Sequence, residues 1–290
     1  MTMARAESPR VESVSLDGLR PVGRRPSLAT YLSQLWDRRH FIVADSQARV
    51  SSSTRQLVLG NLWLVLKPVL DGTVYLLIFG ILLQTNRGIE NFIGYLLIGV
   101  FMFSFTARCL NSGASSVSAG RNLIRSFSFP RVSLPIATVL RETLNTVPGI
   151  LAMMVLIIAI PPHAEITWRW ALFPGVLALQ IVFNLGIAMV AARVVAKVRD
   201  LTNVISFLTR FWLYGSAVFF SYDRFVDHPT ILALMQVNPL FIVLDMTRDL
   251  LLYGQTPAVS SWLVLGAWAL GMLVVGLVVF WRGEESYGRD

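Results

Sequence analysis

The sequence predicts an all-α polytopic membrane protein. Of its 290 residues, 54% are hydrophobic and only 14% are charged, whereas about 25% charged residues is usual for a soluble domain. Several apolar runs reach about 20 residues, the length that crosses roughly 30 Å of hydrocarbon as a helix. Because a segment in hydrocarbon must satisfy its own backbone hydrogen bonds, these runs are expected to be helices.

Six transmembrane helices are predicted from the apolar runs. We expect them at about 57–83, 92–110, 134–160, 170–194, 204–220 and 259–281. They form one predicted transmembrane domain, residues 57–282, which a cytoplasmic tail at 283–290 follows. Between the fifth and sixth spans, the apolar residues 231–252 are interrupted by Asn238-Pro239 and by charges such as Arg248. This pattern favours re-entrant gate helices sheltered by protein, with a single weakly hydrophobic span as the alternative.

The residues before the first span divide into two regions. Residues 1–26 are polar and Arg-rich, which predicts a disordered cytoplasmic tail. Residues 27–56 form an interface helix region, because apolar side chains recur there with helical spacing from Leu28 to Trp36. A cleaved targeting sequence is the competing interpretation of this region.

The orientation follows from the basic residues. The segment 113–131 separates two apolar runs and contains Arg121, Arg125 and Arg131 but no acidic residue. Lys and Arg are concentrated in the alternate connections on this same side. By the positive-inside rule, this side is cytoplasmic and both termini lie there. The net charge of +8 therefore indicates membrane orientation and contact with anionic lipid rather than nucleic-acid binding.

No catalytic, cofactor or metal site is predicted on this chain. A phosphate-binding loop needs Gly-Lys-Ser/Thr, but Lys67 precedes Pro68 and Lys197 precedes Val198. The three histidines are far apart in sequence, and the single cysteine, Cys109, excludes an intrachain disulfide. We therefore expect a conduit or an energised transporter rather than an enzyme. If ATP drives the transport, another chain must hydrolyse it.

Charged residues inside the spans are costly and need partners. Lys67 and Asp71 are four residues apart and are expected to neutralise each other. Arg141 and Glu142 diverge by about 100° on a helix and are expected to serve different neighbours. Arg108 is expected to extend to the cytoplasmic surface.

Aromatic residues on the spans are candidates for a substrate path, since sugar faces stack on aromatic rings without tight site-specific binding. The candidates are Tyr75, Phe79, Phe101, Phe105, Phe211 and Tyr214. Helix packing and interfacial aromatic belts are the alternative interpretation. The basic residues Arg49 and Arg55 are candidates for attracting an anionic headgroup.

The basic segment also contains a short amphipathic pattern that Pro130 closes. Its residues are Arg121, Asn122, Leu123, Ile124, Arg125, Phe127, Phe129 and Pro130. A basic, partly apolar helix below a membrane bundle is a candidate docking surface for a cytosolic partner. An ordinary interfacial loop is the alternative.

Four short motifs in a fixed order resemble those of a known family. They are Arg55…Leu59-Gly60-Asn61-Leu62-Trp63…Pro68, then Asn122-Leu123-Ile124-Arg125…Phe129-Pro130-Arg131…Leu134-Pro135, then Arg199-Asp200, and finally Asn238-Pro239-Leu240…Arg248. Over about residues 35–281 the chain resembles the membrane subunit of type-2 ABC exporters, in the polysaccharide and polyol-phosphate branch called the Wzm or TagG type. Many members carry Ser-Pro where this chain has Gly215-Ser216.

The resemblance implies a homodimeric permease of the bacterial inner membrane with two copies of a separate cytosolic ATPase. It makes the segment 120–130 the coupling helix that receives ATP-driven motion, and it places Asn238, Pro239 and Arg248 in the gate. The implied substrate is a lipid-pyrophosphate-linked glycan of the O-antigen, teichoic acid or galactan class. The Arg-rich composition favours an actinobacterial cell-wall galactan exporter. A type-2 ABC permease for a drug or small molecule, and a membrane-embedded glycan-modifying enzyme, are the alternatives.

Overall fold

The computed structural model describes residues 27–54, 60–75, 77–78, 82, 89, 91–126, 129–220, 229–284 and 287. Within these ranges the regular structure is entirely helical, which confirms the predicted all-α class. The helices are α1 (Leu28–Asp37), α2 (Arg39–Thr54), α3 (Trp63–Tyr75), α4 (Phe92–Ala119), α5 (Arg121–Ser126), α6 (Ser133–Ala159), α7 (Phe173–Lys197), α8 (Leu201–Tyr214), α9 (Pro229–Val237), α10 (Pro239–Leu251) and α11 (Val259–Arg282). The predicted tail at 1–26 lies outside the described residues, as do residues 285–286 and 288–290 of the predicted tail at 283–290.

Four helical stretches in the described part of the chain are long and apolar enough to cross a membrane. They are Phe92–Ser126, Ser133–Ala159, Trp168–Lys197 and Val259–Arg282, which correspond to the predicted second, third, fourth and sixth spans. The predicted first span is described only in part, mainly as α3. The predicted fifth span is α8, whose 14 residues give a length of about 21 Å.

The fifth helix ends earlier than the sequence predicts. Apolar residues continue to Phe220, but α8 ends at Tyr214 and the chain turns through Gly215–Phe220. Ala217 has a φ of 51°, a left-handed conformation that a non-glycine residue rarely adopts and that cannot continue a right-handed helix. The predicted end of the helix at residue 220 was therefore wrong, although the residues up to Phe220 are apolar.

The second helix is longer than predicted, because residues 113–119 of the predicted basic loop continue α4. This stretch is rich in small residues, which let helix backbones approach closely. A Cβ atom built on Gly113 would lie only 2.6 Å from the Cβ of Ala188 on α7. The helix ends at Gly120, beyond which α5 begins.

The bundle is organised around α4 and α7. Helix α4 packs against α3, α6, α7, α8 and α10, and α7 packs against α11 along most of its length. The α7–α11 crossing is a backbone contact, since a Cβ atom on Gly276 would lie 2.5 Å from the carbonyl oxygen of Gly186. Without a hydrophobic force between helices in lipid, such close van der Waals contact is a main source of stability.

We expect Gly276→Leu to disrupt the bundle, because its side chain cannot fit between the two backbones. Gly271→Leu is the matched control on the same helix, since a Cβ atom there meets nothing within 4 Å. The melting temperature in detergent should fall for Gly276→Leu and stay near the wild-type value for Gly271→Leu. Equal melting temperatures for the two variants would show that the crossing does not limit stability.

The predicted amphipathic segment is helical, as expected, and is capped by Ser27, whose side chain accepts a hydrogen bond from the backbone N–H of Thr30. Its tyrosine, Tyr31, is buried, whereas Trp36 is 68% exposed. Helix α2 continues beyond it and packs against α6, where the Ser46 hydroxyl donates to the carbonyl oxygen of Ala137 at 3.0 Å. The placement of α1 at a membrane surface stays a prediction.

The predicted arrangement of the intramembrane charges is only partly right. Glu142 has a neighbour on another helix, Arg108 at 3.8 Å, but it also contacts Arg141 at 3.1 Å. The Arg108 side chain is 37% exposed, and it also donates to the Thr146 hydroxyl at 2.9 Å inside the bundle. The α4–α6 contact places these partners within reach, and pairing avoids a bare charge in the bundle.

The predicted pairing of Lys67 with Asp71 is not seen either. Both side chains are exposed, and among the described residues no ion pair joins them.

Candidate gate and coupling sites

The segment between α8 and α11 is broken into a turn and two short helices. The second of these, α10, is buried along most of its length and contacts α4, α7 and α11. Pro239 begins it and Asn238 caps it, with the Asn238 side chain accepting from the N–H of Leu240 at 3.1 Å. Proline at the first position and asparagine at the cap are favoured at helix starts, so the motif itself explains the break.

Asn238 also binds the end of α8. Its Oδ1 accepts from the indole N–H of Trp212 at 3.0 Å. Its Nδ2 donates to the carbonyl oxygen of Gly215 and to the Ser216 hydroxyl, each at 3.1 Å. One amide side chain therefore fixes the end of α8 against the start of α10.

Arg248 on α10 is 2% exposed. Its guanidinium carbon lies 3.2 Å from the centroid of the Tyr95 ring. One terminal nitrogen donates to the carbonyl oxygens of Tyr95 at 3.2 Å and Val218 at 3.5 Å. Gly99 leaves room for this group, since a Cβ there would lie 3.0 Å from the same nitrogen. The charge is thus held by a ring face and backbone carbonyls.

Tyr95 completes the contact from α4. Its hydroxyl donates to the carbonyl oxygens of Ala217 at 3.0 Å and Phe220 at 2.7 Å. Tyr95, Asn238 and Arg248 together hold the turn after α8, and we call these three residues the turn lock. Two of them, Asn238 and Arg248, are predicted gate residues, and Pro239 lies beside them.

We expect Tyr95→Phe to destabilise the turn, because it leaves two carbonyl groups without their donor. A buried group left unsatisfied costs about 1–3 kcal/mol. Tyr214→Phe is the matched control, since Tyr214 is 53% exposed. Thermal unfolding in detergent should show a lower melting temperature for Tyr95→Phe alone, and equal shifts in both variants would argue against the lock.

The predicted coupling segment contains a separate helix, α5, with two distinct faces. Asn122, Arg125 and Ser126 are exposed, and their i, i+3, i+4 spacing puts them on one side. Ile124 faces the bundle and packs against the buried cluster that contains Tyr31. Arg121 and Leu123 are partly buried between these faces.

The residues after α5 attach this helix to α2. The Phe129 ring lies 6.3 Å from that of Phe41, measured between centroids, and Pro130 is buried. Phe127 lies outside the described residues.

Glu284 connects three distant parts of the chain beside α5. Its carboxylate accepts from the Tyr31 hydroxyl at 2.7 Å and from the backbone N–H of Arg131 at 3.0 Å. The Arg131 guanidinium donates to the Glu284 carbonyl oxygen, and the Tyr31 hydroxyl accepts from the N–H of Val132 at 3.2 Å. We call this set the Glu284 junction; it joins α1, the segment after α5 and the chain after α11.

Burial sets the protonation of the junction. Burial raises the pKa of the Glu284 carboxyl, and the hydrogen bonds from Arg131 and Tyr31 offset part of this effect. Burial and the neighbouring Glu284 also raise the pKa of the Tyr31 hydroxyl well above its usual value. Tyr31 therefore remains a proton donor throughout the physiological range.

A raised carboxyl pKa predicts that the junction is more stable in acid. Between the ordinary value of 4.5 and the raised folded value, the unfolded chain releases the proton first, so stability falls as the pH rises. The full contribution is present below 4.5 and is lost above the folded value. Glu284→Gln should flatten this part of the curve of melting temperature against pH. Identical curves for the two proteins would contradict the assignment.

The predicted substrate-path residues fall into two groups. Phe101 and Phe105 are buried inside the bundle, with no ring face at the surface of the described chain. Phe211 and Tyr214 are exposed on α8. Tyr75 and Tyr214 both contact the ring of Phe219, at 4.6 and 5.6 Å between centroids.

Three predicted residues remain. Phe79 and Arg55 lie outside the described residues. Arg49 forms an ion pair with Asp45 at 2.9 Å on α2.

Two residues of these sites were missed from the sequence. Tyr95 stands in an apolar run, where a tyrosine is ordinary. Glu284 stands in a short polar tail without periodicity. Their partners are more than 100 residues away, so no local pattern identifies them.

Comparison with known proteins identifies the family. Residues 42–252 match the ABC-2 type transporter family. The chain belongs to this family. The match contains α3 to α10 and therefore both the turn lock and α5.

The chain is similar to several permeases within this family. It is 25% identical to the O-antigen export system permease protein RfbA of Myxococcus xanthus over 257 residues, which are 89% of this chain and 97% of that protein. It is 25% identical to an O-antigen export system permease protein RfbA of Klebsiella pneumoniae, over 81% of this chain and 87% of that protein. The polysialic acid transport protein KpsM of Escherichia coli is 23% identical over 79% of this chain and 87% of that protein.

Proposed function

We propose that this chain is the membrane permease of an ABC exporter that moves a lipid-linked polysaccharide outward across the bacterial inner membrane. The observation that carries the proposal is the similarity to polysaccharide permeases along 97% of the length of one of them. The chain contributes no nucleotide chemistry of its own in this proposal. A separate cytosolic ATPase, present in two copies on a permease homodimer, supplies the energy from ATP and Mg²⁺.

In this proposal the exposed face of α5 receives the ATPase. Asn122 and Arg125 stand on that face, and Ile124 anchors the helix from behind. A displacement of α5 reaches α1 and α11 through the Glu284 junction. Both termini lie on this cytoplasmic side, with α1 at the membrane surface.

The proposed glycan path follows the exposed aromatic residues of α8. Phe207 and Phe211 have ring centroids 4.9 Å apart, and Tyr214 and Tyr75 continue toward Phe219. In a homodimer this face and its copy form a channel lined by rings, which suits a long polymer that slides. The basic residues Arg49 and Arg55 attract the anionic pyrophosphate cap at the cytoplasmic opening.

The proposed gate consists of α9, α10 and the turn after α8. At rest the turn lock keeps this segment against α4 and closes the outer end. In the proposed six-span topology, α3 belongs to the first span, and α8 with the turn forms the fifth. Opening requires the lock to release, which costs energy and therefore links the gate to the ATPase.

Depletion of the protein in its host tests the proposed activity. We expect lipid-linked glycan to accumulate on the cytoplasmic side of the inner membrane. A glycan-modifying enzyme that is added outside intact cells and cannot cross the membrane should then fail to label this glycan. Restoring the chain should move the glycan outside. Unchanged glycan distribution together with increased sensitivity to small toxic compounds would favour a drug permease instead.

Reversing the charge of Arg125 tests the docking surface. Arg125→Glu should weaken ATPase binding by roughly tenfold, since it replaces a favourable interfacial charge with an unfavourable one. Arg282→Glu is the matched control, because Arg282 is also exposed and ends the neighbouring α11. Co-purification of the ATPase measures the effect. If both variants retained the ATPase equally, α5 would not be part of its binding surface.

A further inference from the structure

An apolar groove runs between α7, α8 and α11, with Leu110 of α4 at its base. Its volume is about 390 Å³, and it is lined by Val190, Val194, Ile205, Leu208 and Met272 among others. This volume lies within the usual range of ligand sites, roughly 300–1,000 Å³. The groove does not overlap the turn lock or the face of α5.

The polar lining residues of the groove offer no free hydrogen-bond donor. The Thr209 hydroxyl donates to the carbonyl oxygen of Ile205 at 2.7 Å, and the Trp212 indole N–H donates to Asn238. Water needs two to four polar partners to occupy a cavity. A groove of this composition suits an apolar chain better than water.

The groove and the exposed aromatic residues occupy different faces of α8. At about 100° per residue, Ile205, Leu208 and Trp212 project to one side. Phe207 and Phe211 lie between these residues in sequence, but they project away from that side of the helix. A partner subunit on the aromatic face therefore leaves the groove open to the bilayer.

Two cations stand beyond one end of the groove. Val194 lines the groove, and Lys197 lies three residues further on α7, close to the same face. Arg199 follows, and both side chains are exposed. This end of α7 also carries Ala196, which packs against the cluster that contains Tyr31. Ile124 of α5 packs against the same cluster, so the end of α7 and α5 lie at the same end of the molecule.

We propose that the groove binds one acyl chain of an anionic phospholipid, whose phosphate contacts Lys197 and Arg199. The lipid belongs to the leaflet on the α5 side. It fills the space between α8 and α11. Helix α11 meets the bundle mainly through α7, whereas α8 contacts both α4 and α7. The proposal does not depend on the identity of the exported cargo.

Lipid retention by the full-length chain tests this site. The protein is placed in nanodiscs of mixed phosphatidylcholine and phosphatidylglycerol, released, and weighed by native mass spectrometry. We expect one phosphatidylglycerol to stay bound to each wild-type chain. The double variant Lys197→Gln/Arg199→Gln should weaken its retention by roughly thirtyfold, since each basic residue near a membrane surface contributes about a fivefold factor.

A second variant tests the apolar part of the site by filling the groove with a larger side chain. Leu208→Trp should reduce retention of both lipids, because its ring occupies the space of the acyl chain. Phe207→Trp is the matched control on the opposite face, and Arg210→Gln is the control for loss of an exposed charge on α8. Both controls should retain phosphatidylglycerol as the wild-type chain does.

Three results would overturn the proposal. The first is wild-type retention of phosphatidylglycerol in both test variants. The second is efficient disulfide cross-linking of Leu208→Cys between two subunits in the membrane, which would assign the groove to a second copy of the chain. The third is displacement of phosphatidylglycerol by a polyprenyl phosphate at lower concentration, which would assign it to a carrier lipid.

Discussion

The fold depends on the contact between the buried charge of Arg248 and the turn at which α8 ends, because each supplies hydrogen-bond partners to the other. Because α8 ends early, the carbonyl groups of the following turn have no helical partners, and inside a membrane such groups must find donors in the protein. The buried guanidinium of Arg248 has the opposite need, since a charge there must be compensated. The turn supplies one of the carbonyls that bind Arg248, and Arg248 and Tyr95 supply donors to the turn. Each feature therefore supplies partners that the other needs.

This requirement explains how a polar break exists within an apolar bundle, and it bears on the proposed gate. The contacts that Tyr95 makes from α4 are a ring face and hydrogen bonds of about 3 Å, so a displacement of α4 relative to α10 would separate them. In the proposed gate, these contacts are formed at rest and broken in the open state. A continuous span in this place would have no corresponding open state.

One helix connects the two candidate sites. Helix α4 extends from the residues near Tyr95 to Ala119, a length of about 42 Å, and α5 follows it after Gly120. The Glu284 junction ties the same end of the molecule to α1 and α11. A force on α5 therefore acts on a rigid element whose other end holds the lock. This arrangement gives the proposed coupling a physical route.

The sequence predicted the elements but not the contacts between them. Long apolar runs and the positions of Gly and Pro gave the helices, the separate α5 and the break at Asn238-Pro239, because these depend on local chemistry. The end of α8 was missed because residues Ala217–Phe220 are as apolar as a helix interior, and Tyr95 and Asn238 decide their conformation from distant positions. The pairing of Arg108 with Glu142 was missed for the same reason: it depends on how α4 and α6 face each other.

Hydrogen exchange at the turn after α8 tests the link between the lock and the ATPase most directly. The permease and its ATPase are reconstituted in nanodiscs, and exchange of the amides at 215–220 and along α10 is compared in ADP and in a trapped ATP state. The account predicts slow exchange in ADP and faster exchange at these amides in the ATP state, with α6 unchanged. Equal protection in both states, under conditions in which the ATPase is bound and active, would contradict it.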